Sequence, residues 1–389
     1  MLQQASNRMK ITPACVPIGM NVPRGLLGTI VLVLAVEGFV SRRDLDLTGP
    51  VAPYFAFPAR ACGEAKRSEI LCFGDSMVKL GIVPRVLEAR LSKSAYNLAI
   101  PGATPPATYL MLHRALAAGA RPTAILVNFS ENNLRFGPQS QIDSLAEFAT
   151  LRDCADLAWS GGSARYFGSL AIASLVPTVR HRIDVRLNVL GAFAGVSTSR
   201  RAEILAIQRN WRINQGAQLF SDAGANTSIA EYWDENIFYR PDFLCEPWNG
   251  ICLIKFLKLA AGRGIPVYWL VTPIHPRVQA KRDRLGIDEA YTRFIGKAVA
   301  RFPHLRVIDG RSAGFDSEMF ADAGHLHRRG ALAFSAEVAE VLARELAGPV
   351  EGPRWVTLPA SRSRAPAVPV EDVAESALAL SKNPEGRRR

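Results

Sequence analysis

No two of the six cysteines stand in a C-x-x-C pair, which argues against a zinc-binding or thioredoxin-like site. There is no internal repeat, no basic helix with interleaved aromatics and no nucleic-acid motif. The short basic clusters at Arg180–Arg186 and Lys281–Arg284 therefore read as solvated surface rather than as a nucleic-acid interface. Charged residues make up only 21% of the chain against 48% hydrophobic, a balance that excludes wholesale disorder. Nothing in the pattern calls for a metal or an organic cofactor. What remains is a globular chain of 389 residues with a formal charge of +12. That is enough length for one large domain or two ordinary ones, and the charge favours acidic partners such as anionic glycans or lipid head groups.

The one long apolar run is GLLGTIVLVLAVEGFV at 25–40, preceded by Arg8, Lys10 and Arg24 and followed by Arg42 and Arg43. It is slightly short for a full span, and Glu37 is costly near one end. A cleaved signal peptide and a buried helix are the rival readings, but no clean A-x-A site follows. Length and flanking charge favour a single membrane anchor. On that reading residues 1–24 are a cytoplasmic segment, 41–64 a Pro/Gly/Ala-rich linker and 349–389 a disordered tail rich in Pro, Ala, Ser and Arg. Cys72 lies in an apolar run and reads as a buried thiol. Cys245 and Cys252 are close enough to pair in an oxidising compartment.

The body, 65–348, alternates short apolar strands with helices. Strands are expected at Glu69–Phe73, Tyr96–Ile100, Ala124–Phe129, Pro266–Val271 and Leu305–Ile308. Helices are expected at Pro84–Leu91, Pro106–Ala118 and Arg328–Leu346. This predicts an α/β fold with a mostly parallel five-stranded sheet covered on both faces. The long stretch between the third and fourth strands exceeds an ordinary connection and predicts a mostly helical insertion at about 140–250. The insertion carries the aromatic segment EYWDENIFYRPDF, with Tyr232, Trp233, Phe238 and Tyr239. These could stack on sugar rings, although aromatics in a helical insertion more often pack its own core.

Two segments carry chemistry. In EILCFGDSMVKLGI a strand runs into Gly74-Asp75-Ser76 and a helical pattern follows. A Ser there sits at the C-terminal edge of a parallel sheet, where such folds place their sites, with its own N–H available to an oxyanion. A serine nucleophile needs a base. Among the six histidines, His325 stands three residues after Asp322 and just before the last helix. That spacing lets the carboxylate fold back to the imidazole, fix its tautomer and stabilise its charged form. His275, after the fourth strand at the same edge, could line the pocket, although a structural role is the favoured reading; His327 could touch substrate or equally lie on the surface.

The strand-GDS-helix at the front and the D-x-x-H-L-x-x-x-G-A at the back together resemble the SGNH/GDSL hydrolase superfamily. The resemblance implies a three-layer α/β/α, flavodoxin-like fold with Ser76 as nucleophile and Asp322 and His325 as its partners. It also implies an oxyanion hole made by Ser76, by Gly102 in NLAIPGATP and by Asn132 in SENN. In SENN, Ser130 and Asn133 depart from the family's G-x-N-D. The layout is similar to membrane-anchored bacterial members that act on surface polysaccharide. The implied activity is a serine esterase on an acylated carbohydrate, with the body outside the inner membrane in the periplasm. A polysaccharide O-acetyltransferase using the same acyl-serine, or a catalytically silent carbohydrate-binding or assembly component, is the alternative.

Overall fold

Strands whose side chains are apolar on both sides need cover on both faces, and that requirement organises this chain. The computed structural model describes residues 24–42, 51–195, 200–222, 243–348, 352–360 and 365–382. Helices α1 (Arg24–Arg42) and α2 (Val51–Ala65) precede β1 (Ile70–Phe73), α3 (Ser76–Gly81), α4 (Pro84–Leu91), β2 (Ala95–Asn97), α5 (Pro105–Ala117) and β3 (Ala124–Val127). The insertion runs through α6 (Glu131–Arg135), α7 (Ile142–Ala146), α8 (Leu151–Gly161), α9 (Ala164–Leu175), α10 (Pro177–Arg180), α11 (Arg182–Phe193) and α12 (Arg201–Ile213). Helix α13 (Pro247–Ala261) leads into β4 (Val267–Val271), then α14 (Pro276–Arg284), α15 (Ile287–Arg301), β5 (Leu305–Asp309), α16 (Arg328–Leu346), β6 (Trp355–Thr357) and α17 (Val373–Lys382).

The six strands form one sheet in the order β2-β1-β3-β4-β5-β6, every pair parallel. Alternate residues feed two cores. Leu71, Phe73, Ile125, Val127 and Trp269 pack with residues of α5, α13 and α15. Ile70, Cys72, Leu126, Tyr268 and Ile308 pack with residues of α4 and α16 on the other face. The expected α/β architecture is present, with a helical insertion between β3 and β4.

Three expectations are corrected. The sheet has six strands, not five. The sixth comes from the tail expected to be disordered. There Val307 donates its N–H to Arg354 O at 2.7 Å, Leu358 donates to Asp309 O at 2.8 Å, and Trp355 Nε1 donates to Asp309 Oδ2 at 3.3 Å. Three residues pair only because the edge of β5 is open to them, a partner that local composition does not reveal. The tail also supplies α17, joined to α12 through Glu371. Its carboxylate accepts from Arg209 at 2.8 and 3.0 Å, and its carbonyl accepts from Asn210 and Asn214, each at 2.8 Å. The expected linker contains α2, which buries Phe55, Ala61, Cys62 and Ala65 and packs Tyr54 and Phe57 against Trp211.

Cys72 is buried as expected, and Cys245 and Cys252 are free thiols. The apolar run forms α1, with the leucines and valines from Leu26 to Val36 exposed. Among the described residues no helix is long and apolar enough to cross a membrane. Residues 1–23 and the aromatics Tyr232, Trp233, Phe238 and Tyr239 lie outside the described residues.

Lys79 is buried in α3, its ammonium 4.3 Å from the centroid of the Trp211 ring. Burial lowers its pKa to about 7, against about 10.4 for a free lysine. Between those values the unfolded chain holds a proton that the folded one lacks, so stability rises with pH across that window. Lys79→Met should therefore raise Tm most below pH 7, with the gain shrinking as pH approaches 10. A gain in Tm that is independent of pH, followed by differential scanning fluorimetry, would contradict a buried titrating ammonium.

Candidate active site

Strand β1 ends at Phe73, and the chain turns at Gly74 with φ +124°. A Cβ there would lie 2.7 Å from the Asn128 carbonyl oxygen and 2.9 Å from its nitrogen, so only glycine lets β1 and the residue after β3 approach this closely. Asp75 caps α3 by accepting from Met77 N at 2.9 Å. Its other oxygen accepts from Asn133 Nδ2 at 2.7 Å, and the Ser130 side chain bonds to the same carboxyl. Burial nevertheless pushes the Asp75 carboxyl above the usual carboxylate range, against those hydrogen bonds. Ser130 and Asn133 are the two residues of SENN that depart from the family pattern, and both hold Asp75.

The residues singled out at the two ends of the chain meet. Ser76 Oγ lies 2.8 Å from His325 Nε2, and His325 Nδ1 lies 2.8 Å from Asp322 Oδ2. The second Asp322 oxygen accepts from the backbone N–H of Gly324 at 2.9 Å and of His325 at 2.8 Å. Burial works to raise the Asp322 pKa, but His325 and these amides outweigh it and hold the carboxyl below its ordinary value. An ionised Asp322 requires Nδ1–H to be the donor, which leaves the Nε2 lone pair to accept the Ser76 O–H. A bridge between Phe320 and Leu326 pins the loop on either side of this pair.

Ser76, Asp322 and His325 border a cavity of about 470 Å³ that Gly102 and Asn132 also line. All five predicted site residues thus reach one place. Gly102 has φ +72° with open space where a Cβ would stand, and its carbonyl accepts from Gln141 Nε2 at 2.8 Å. His275 and His327 do not line the cavity. His275 caps α14 and His327 caps α16, each through Nδ1.

A second group of lining residues was not anticipated. Glu131, Gln279, Arg282, Asp288, Tyr291 and Arg311 also line the cavity. Arg282 is buried and donates to Glu131 Oε1 at 2.8 Å and to Asp288 Oδ1 at 3.0 Å. Arg311 donates to Asp309 Oδ1 at 3.0 Å and to Thr292 Oγ1 at 3.0 Å. This corrects the reading of Lys281–Arg284 as wholly solvated surface, because two carboxylates from other segments make burial of Arg282 tolerable. Desolvation opposes the Arg282 charge, yet Glu131 and Asp288 raise its pKa, while Arg282 lowers that of Asp288 against the same burial. Glu131 adjoins Asn132, and that position was the available signal. Two acceptors in the lining, Asn128 Oδ1 and Gln279 Oε1, are buried and have no hydrogen-bond partner.

Among the described residues no cluster of His, Cys, Asp and Glu could hold a metal ion. No protein-family model matches the chain, and no curated protein matches it.

The tight approach at Gly74 is testable. Gly74→Ala should cost roughly 2 kcal/mol or more, because it adds backbone strain to a backbone clash. Gly102→Ala, with strain alone, should cost less, about 1 kcal/mol. Urea denaturation of both variants reads the difference, and equal stabilities would contradict the close packing of β1 on the end of β3.

Proposed function

We propose that the chain is a serine esterase of the SGNH/GDSL type, with the family's three-layer α/β/α arrangement, that removes or transfers a short acyl group on a carbohydrate. The observation that carries this reading is the unbroken hydrogen-bonded chain from Asp322 through His325 to Ser76 at the edge of a cavity. His325 Nε2 takes the hydroxyl proton as Ser76 Oγ attacks the acyl carbonyl carbon. Ionised Asp322 stabilises the imidazolium that forms. The negative charge on the former carbonyl oxygen is met by the N–H groups of Ser76 and Gly102 and by the Asn132 amide. Collapse expels the sugar alkoxide, which takes the proton from His325 and leaves acyl-Ser76. Water, deprotonated by His325, then releases the acid. A sugar hydroxyl in place of that water gives the transferase outcome.

A hydrogen-bonded triad beside an open cavity counts against the silent-component alternative. The apolar run at 25–40 is proposed to attach this body to the bacterial inner membrane on its periplasmic side.

Two measurements test the reading. A serine-directed phosphonate should label Ser76, and Ser76→Ala should abolish turnover of p-nitrophenyl acetate; labelling of another residue would sink the assignment. Adding an oligosaccharide acceptor and following acetylated sugar separates transfer from hydrolysis. Asn132→Ala should lower kcat by ~10²–10³-fold with little change in KM. A loss under about threefold, well below 1 kcal/mol, would remove Asn132 from the oxyanion hole.

A further inference from the structure

The insertion has one face that its own core does not use. From Ile172 to Phe193, large apolar side chains stand exposed at every third or fourth position: Ile172, Leu175, Val179, Ile183, Leu187, Leu190 and Phe193. Within α11 the residues Ile183, Leu187 and Leu190 follow i, i+4, i+7 spacing and share one stripe. That helix buries none of its residues fully, and Phe193 is 88% exposed. Arg182 and Arg186 lie along one side of the stripe, with Arg182 3.6 Å from Asp143. An isolated exposed leucine needs no explanation, but this density of exposed apolar side chains along α9–α11 does.

Helix α1 meets this face. Glu37, the acidic residue of the apolar run, accepts from Thr178 N at 3.0 Å and also from Thr178 Oγ1. Thr178 stands in the first turn of α10, next to Val179, so α1 joins the run near its middle. The bond also accounts for a carboxylate in an otherwise apolar helix, because the α10 segment supplies its donors. The five consecutive residues Ile30 to Leu34 are each between 46% and 66% exposed. Successive residues on a helix turn by about 100°, so five in a row cover its whole circumference. Apolar exposure all round a helix fits immersion among acyl chains, which touch every side.

We propose that the α9–α11 face is a second membrane-contacting element, lying flat in the lipid interface beside α1. The exposed side chains of Ile183, Leu187, Leu190 and Phe193 enter the acyl boundary, and Arg182 and Arg186 extend to lipid phosphates at its edge. Contact with one leaflet does not require α1 to span the bilayer. The inference rests on reading α1 as the membrane-attached segment, and it assigns the insertion a task separate from the chemistry at Ser76.

The test uses the full chain bound to vesicles of phosphatidylethanolamine and phosphatidylglycerol. In a variant whose six native cysteines are replaced by serine or alanine, single cysteines replace Phe193, Leu32 and, as a control on an exposed helix away from this face, Arg293, and each is labelled with an environment-sensitive fluorophore. The expected result is a blue shift and loss of emission to brominated lipid at positions 193 and 32, with neither at 293. Quenching at 32 with position 193 still in water overturns the proposal while leaving α1 attached. Protection at 193 without lipid quenching, together with a doubled particle mass in detergent, assigns the face to a second copy of the chain and overturns it as well. Absence of quenching at both 193 and 32 removes both readings.

Discussion

The site depends on how closely the ends of β1 and β3 approach. With the Asn128 backbone occupying the space a side chain on residue 74 would need, the two strands finish side by side. The turn after β1 is then delivered directly against the turn after β3. Asp75 reaches Asn133 only because of that proximity, and the same packing puts Asn132 on the cavity that Ser76 borders. Parallel pairing of β1 with β3 in register, Cys72 opposite Leu126 and Phe73 opposite Val127, is the larger frame for this contact. A shift of one residue would move every strand side chain to the opposite core.

Two sets of charged groups border the cavity. In one, a carboxylate kept ionised faces a serine through an imidazole. In the other, Arg282 and Arg311 are tied among Glu131, Asp288 and Asp309, so their charge is largely spent within the protein. The lining is thereby separated from the strongly basic balance of the whole chain.

Much of the architecture was legible in the sequence because it is local. Apolar runs such as ILCF and AILV can only be buried strands, and Pro84 opens a helix wherever the chain goes next. The positions of Ser76, Asp322 and His325 were legible because strand, turn and cap each leave a signature within a few residues. What escaped was non-local. Arg282 looked solvated because Glu131, which neutralises it, lies 151 positions away. β6 was invisible because three residues amid prolines and arginines acquire a strand's identity only from the open edge of β5. The SENN block read as a degraded motif, yet its two departures supply the groups that hold Asp75.

The grip of Glu371 on α12 bears on how the molecule comes into being. Arg209, Asn210 and Asn214 lie in the middle of the chain, and the group that satisfies them is made roughly 160 positions later. A ribosome releases β1 to β5, the insertion and the serine long before Glu371 leaves the exit tunnel. Until then Asn210, which is fully buried in the finished protein, has no carbonyl to receive its amide hydrogens, and α12 is held on one side only. Completion of the insertion therefore waits on synthesis of the segment that carries Glu371. A nascent chain stalled before residue 371 carries every residue of the triad beside an insertion that has not yet been latched.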